Sequence, residues 1–80
     1  MACRIGMTTD LEYRKKYWEG KCKNLRDWQI LETHNSKKNA QAAEIRLAKQ
    51  KGCDYHPGGD GPEYATWYVY GFNFDAYIES

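Results

Sequence analysis

The chain has 80 residues, a length that holds one domain. Hydrophobic residues make up 41% and charged residues 29%, a balance that suits a folded domain better than a disordered one, and no apolar run exceeds four residues, which excludes a membrane-spanning helix. The formal net charge of +1 conceals an asymmetry: residues 1–51 carry all twelve basic side chains and six acidic ones, a net +6, whereas residues 52–80 carry five acids and no Lys or Arg.

In chain order, Ala2–Met7 is short and largely apolar, as a strand is. Thr8-Thr9-Asp10 then opens a helix over residues 10–19, with Thr9 and Glu12 spaced as a capping box and Gly20 as its stop. A basic loop, Gly20–Asn24, leads to a strand over residues 28–33, in which Trp28 and Ile30 share a face. Asn35 or Ser36 caps a second helix over residues 37–51, rich in Ala, Gln, Lys and Glu, with Gly52 as its C-terminal glycine. Residues 56–62, His-Pro-Gly-Gly-Asp-Gly-Pro, read as a loop. From Tyr64 to Phe74 the chain alternates as a strand, with Tyr64, Thr66, Tyr68, Tyr70, Phe72 and Phe74 on one face. The order β-α-β-α-β predicts a small α+β domain of two helices on a three-stranded sheet.

The three cysteines, Cys3, Cys22 and Cys53, are odd in number and contain no Cys-x-x-Cys pair, which predicts free buried thiols and a reducing compartment. Cys53 and His56 have a ligand-like spacing, but zinc would need Cys3 and Cys22 to converge from elsewhere. Met1–Gly6 lacks the apolar run of a signal peptide, so the expected location is cytoplasmic, with no membrane partner.

The densest basic stretch, Arg14, Lys15, Lys16, Lys21, Lys23 and Arg26, is interleaved with Tyr13, Tyr17, Trp18 and Trp28. Cations among aromatics hold phosphates and stack on bases; the alternative is a solvated helix face whose long stems cover the core. Helical spacing turns two charged residues inward. Arg14 shares a stripe with Leu11 and Trp18, and Glu44 lies beside the packing face of Ala40, Ala43, Leu47 and Ala48. Inward charges need partners. Either Arg14 and Glu44 pair with each other, or Arg14 grips a phosphate and Glu44 a metal ion.

The run Ile5-Gly6-Met7-Thr8-Thr9-Asp10-Leu11-Glu12-Tyr13-Arg14 resembles the second half of the GIY-YIG endonuclease signature, in which an Arg follows the strand-ending Gly by eight residues. Trp28–Glu32 resembles that family's third strand, and Ser36–Glu44 the helix with its metal-binding Glu. The resemblance covers about residues 3–51. It implies metal-dependent phosphodiester hydrolysis in DNA or RNA, with Arg14 stabilising phosphate charge and Glu44 holding Mg²⁺ or Mn²⁺. Four features depart from the pattern: no Gly-Ile-Tyr strand precedes Cys3, the Tyr of Tyr-Ile-Gly is Arg4, the helix position that often carries a His is Trp18, and no later Asn matches the family's. Arg4 suits a phosphate contact. The strand Trp67–Phe74 is a candidate for the missing place in the sheet, which would bring Tyr68 or Tyr70 to the site; otherwise these rings are core. His34 and His56 read as exposed loop residues. The expectation is a GIY-YIG-like domain that binds nucleic acid through Arg4, Lys15, Lys16, Lys21, Lys23 and Arg26. Its nuclease site, weak or inactive because the water activator has to be borrowed, would draw on Arg14, Glu44, Tyr68 and Tyr70. The alternative is a protein-interaction module presenting an exposed aromatic, acidic C-terminal half.

Overall fold

The run Trp67-Tyr-Val-Tyr-Gly-Phe-Asn-Phe74 has apolar or aromatic residues at successive positions, the pattern of a strand covered on both faces rather than one. In the computed structural model, which describes residues 2–56 and 61–79, that run is the central strand. The elements are β1 (Ala2–Thr8), α1 (Leu11–Glu19), β2 (Cys22–Lys23), β3 (Arg26–His34), α2 (Lys37–Lys51), β4 (Trp67–Phe74) and β5 (Ala76–Tyr77). The architecture is α+β, as expected: two helices, an antiparallel sheet in the order β1-β4-β3, and a small β2-β5 ladder. β4 pairs with β1 from Ala2↔Phe74 to Thr8↔Tyr68, and with β3 from Arg26↔Asn73 to His34↔Trp67. The strand latest in the sheet's sequence order therefore lies between the two earlier ones.

Each face of the sheet carries one helix. On one side α2 packs Ala40, Ala43 and Ala48 against Ile5, Met7, Trp67 and Val69. On the other, Tyr70, Phe72 and Phe74 are covered by Leu11 and Trp18 of α1 and by Leu25 and Trp28. Trp28 stacks on Tyr70 and Phe72 at centroid distances of 4.6 and 5.7 Å. Tyr70, Phe72 and Phe74 are buried and Tyr68 is half-buried, so these rings build core, whereas Tyr64 and Tyr77 beyond the ends of β4 are exposed.

Several local expectations are corrected. Asp10, not Thr9, caps α1: its side chain accepts the Tyr13 N–H at 3.1 Å, while the Thr8 hydroxyl accepts the Asp10 N–H at 3.0 Å. Trp28 and Ile30 do not share an environment, because β3 carries register shifts between Arg26 and Gln29 and between Ile30 and Glu32, and Ile30 is left 50% exposed. β4 begins at Trp67 rather than Tyr64, which is exposed; the Trp67 indole N–H instead donates to the Pro62 carbonyl at 3.0 Å. Part of the expected basic loop is β2, held to the chain after β4. At α2 the expectation stands, with Ser36 as N-cap and Gly52 in the left-handed conformation at φ 67°. Residues 57–60 of the expected Pro/Gly loop lie outside the described residues.

The cysteine expectation also fails. Cys3 and Cys53 form a disulfide, leaving Cys22 as a buried free thiol. The left-handed turn at Gly52 returns the chain to the outer edge of β1, where Asp54 forms a parallel bridge with Arg4. Its N–H donates to the Cys3 carbonyl and its carbonyl accepts the Ile5 N–H, both at 2.9 Å. Free thiols were the premise for a reducing compartment, and two of the three are bonded. No helix among the described residues is long and apolar enough to cross a membrane.

Candidate functional site

Beyond the Asp54 bridge, the outer edge of β1 borders a cavity of about 280 Å³ lined by Arg4, Ile5, Gly6, Met7, Arg14, Tyr17, Trp18, Glu44, His56 and Tyr70. Both helices reach it because β1 is an edge strand: α1 contributes Arg14, Tyr17 and Trp18 and α2 contributes Glu44. Tyr70 comes from β4, where it lies opposite Gly6 in the register. A Cβ at position 6 would collide with the Tyr70 hydroxyl, so glycine is what lets the phenol cross β1 toward the cavity.

Tyr70 is held from above by Trp18, whose indole N–H donates to the phenol oxygen at 2.8 Å. Burial raises the Tyr70 pKa, and the Trp18 hydrogen bond and the charges of Arg14 and Arg4 offset it only in part. The group at neutral pH is a neutral phenol whose own O–H remains available to donate.

Glu44 is 2% exposed, and its Oε1 has no hydrogen-bond partner. Burial pushes its pKa up to about 7, against the Arg4 charge and the neighbouring His56 backbone N–H, which both favour the carboxylate. The Arg14 Nε is likewise buried without a partner. Arg14 and Glu44 do not form the ion pair that was one expectation: the Arg or Lys ion pairs among the described residues are Arg26–Asp75 and Arg46–Glu32. The Arg14 guanidinium instead lies over the Tyr17 ring at 5.1 Å. A buried carboxylate oxygen and a buried guanidinium nitrogen, each unsatisfied and both in the wall of one cavity, are the arrangement a bound cation and anion would complete.

Arg4 is positioned by a relay. It stacks 4.3 Å from the Trp18 ring and donates to the Tyr77 hydroxyl at 3.0 Å, which donates to the Asp54 carboxylate at 2.8 Å. Thus β5 and the disulfide-anchored turn both brace a side chain of the cavity.

Of the residues expected at a site, Arg4, Arg14, Glu44 and Tyr70 meet here. Tyr68 does not line the cavity, so of the two candidate tyrosines only Tyr70 reaches it. Lys15, Lys16 and Lys23 are exposed, and Lys21 stands 5.7 Å from the Tyr17 ring. Arg26 is engaged elsewhere, with Asp75 at 3.0 Å and the Asn24 carbonyl at 2.8 Å. His34 bonds Glu32 at 2.9 Å, whereas His56 borders the cavity. Sequence reasoning missed Trp18 as the Tyr70 donor, although its place one turn beyond Arg14 signalled the same stripe. It also missed the steric role of Gly6, while Tyr17, named among the aromatics of the basic stretch, does line the cavity.

Glu44 is the one carboxylate among the described residues lining the cavity. No group of three or more His, Cys, Asp or Glu with ligating geometry occurs among the described residues. A single carboxylate suits Mg²⁺, which keeps several waters and takes its remaining ligands from substrate phosphate. No protein-family model matches this chain, and neither a curated protein nor a solved structure matches it.

Proposed function

We propose that this chain is a GIY-YIG-like domain that binds nucleic acid and hydrolyses its phosphodiester bonds with a divalent metal ion. One observation carries the reading: Arg14, Glu44 and Tyr70, three residue types the resemblance calls for, line one cavity although they come from three separate elements. The sheet adds support, since β4 pairs along the length of β1 and brings Tyr70 opposite Gly6.

The roles follow from the chemistry of each group. The Arg14 guanidinium, with its unpartnered Nε, donates to non-bridging phosphate oxygens and stabilises the charge that builds on them as water adds to phosphorus. Arg4, fixed between Trp18 and Tyr77, supplies a second positive charge. Tyr70 keeps its proton and donates through its hydroxyl, orienting the attacking water or a phosphate oxygen. Glu44 would hold Mg²⁺ or Mn²⁺ through Oε1, the oxygen that nothing in the chain satisfies. The ion supplies neutralisation of phosphate charge and acidification of a bound water.

The test is cleavage of labelled DNA and RNA, in single-stranded and duplex form, with Mg²⁺ or Mn²⁺ against a chelator. Cleavage that needs metal, disappears in Glu44→Gln and falls on the order of 10²–10³-fold in Arg14→Ala supports the reading. No metal-dependent cleavage of any of these substrates refutes the hydrolytic part.

A further inference from the structure

Tyr13 and Tyr17 stand one helical turn apart on α1, are 64% and 39% exposed, and belong to neither core cluster. Large aromatics left outside the core of so small a domain contribute little to folding. Tyr17 lines the cavity itself. Around them cations and rings alternate: Arg4 lies 4.3 Å from Trp18, Trp18 meets Tyr17 edge-on at 5.0 Å, and Arg14 lies 5.1 Å from Tyr17 and 6.0 Å from Tyr13. Lys21 approaches Tyr17 at 5.7 Å. The mouth of the cavity is therefore bordered by aromatic rings in contact with positive charges.

We propose that this mouth is a stacking platform for unpaired bases, so that the substrate of the site is single-stranded nucleic acid rather than intact duplex. The inference rests on the nucleic-acid reading above and adds the strand form that reading leaves open. Two physical points carry it. The face of a tyrosine ring is useful to a base only if that base is unstacked from its own neighbours, as it is in a single strand and not inside a duplex. The cations beside the rings then meet the phosphates that flank the stacked bases, which is charge complementarity. The second point is access. The unsatisfied groups, Glu44 Oε1 and Arg14 Nε, are buried in the wall of a cavity of about 280 Å³. A phosphate must turn in from the surface to meet them, and a single strand can bend that far without breaking base pairs.

The experiment is fluorescence anisotropy in chelator, where no cleavage occurs. The probes are a labelled mixed-sequence DNA strand of about 12 nucleotides, within the usual site size for single-strand binders, and the same strand annealed to its complement. The expected result is tighter binding of the single strand. Tyr17→Ala should weaken single-strand binding about tenfold or more and leave duplex binding within about twofold, and Tyr17→Phe, which keeps the ring, should behave as wild type. Tyr13→Ala should act in the same direction. Both residues are exposed, so circular dichroism of the variants should match that of the wild type. Equal affinity for the two probes, or loss of affinity in Tyr17→Ala that is the same for both, overturns the platform while leaving nucleic-acid binding intact. No binding of either probe at low salt overturns both.

Discussion

Replacing Glu44 by Gln keeps the shape of the side chain and removes its charge, and the consequence for stability can be worked from its surroundings. The carboxyl is 2% exposed and its pKa rises from 4.5 to about 7. The folded chain thus holds this proton more tightly than the unfolded chain does. The stabilisation that results is complete below pH 4.5 and is lost as the pH rises through 7. At about 1.4 kcal/mol per tenfold change in proton affinity, ionising Glu44 within the fold costs on the order of 3 kcal/mol. Urea unfolding of wild type and Glu44→Gln across this range should give similar stabilities at the acid end. On the alkaline side the variant should be about 3 kcal/mol more stable, a difference of roughly 10–20 °C in Tm for a domain of this size. Other carboxyls shift both proteins alike, so the difference between the two curves isolates Glu44. Millimolar Mg²⁺ or Mn²⁺ above pH 7 should raise the wild-type midpoint and leave that of Glu44→Gln unchanged, because the ion compensates a charge the variant lacks. A difference between the curves that stays constant with pH refutes the buried carboxyl, and a metal response equal in both proteins refutes its role as ligand.

Gly6→Ala should lower stability by about 1–3 kcal/mol in urea unfolding, because the new methyl displaces the Tyr70 phenol from the edge of β1. Opening the Cys3–Cys53 disulfide, by a thiol reductant or by Cys3→Ser with Cys53→Ser, should cost about 4 kcal/mol for a loop of this length, read as a fall in Tm. A chain permuted to begin at Glu63, with a short Gly/Ser linker joining its former ends, should unfold cooperatively with native-like circular dichroism, since Ala2 already pairs with Phe74. Absence of a cooperative transition would contradict the strand order described here.

What could be read from the sequence followed the range of the interactions. Arg14 and Glu44 were legible because helical spacing alone puts them on inward stripes, and neither depends on a distant partner for its direction. The helix caps at Ser36 and Gly52 were legible for the same reason. Tyr70 was legible only as one of two tyrosines on one strand face. The choice between it and Tyr68 depends on register, and that in turn depends on Gly6 standing opposite. The disulfide was not legible, because its cysteines are 50 residues apart and meet only once the turn at Gly52 brings the chain back along β1. The β2-β5 ladder, two residues on each side, is too short to leave an alternation, and the irregularities of β3 have no local signature that separates Trp28 from Ile30.

The central position of β4 also sets a timetable. A ribosome delivers β1, α1, β3 and α2 before the strand that joins β1 to β3, and pairs such as Ala2 with Phe74 span nearly the whole chain. Contacts this distant in sequence close late and slow the search for the native state. Until residues 67–74 emerge, two strands wait without their ladder, exposed to pairing with other chains. The cations and Glu44 already exist at that stage, but nothing yet holds them around a common cavity. A fragment ending between α2 and β4, whether from early termination or a proteolytic cut, therefore keeps most of the charged residues and loses the site entirely.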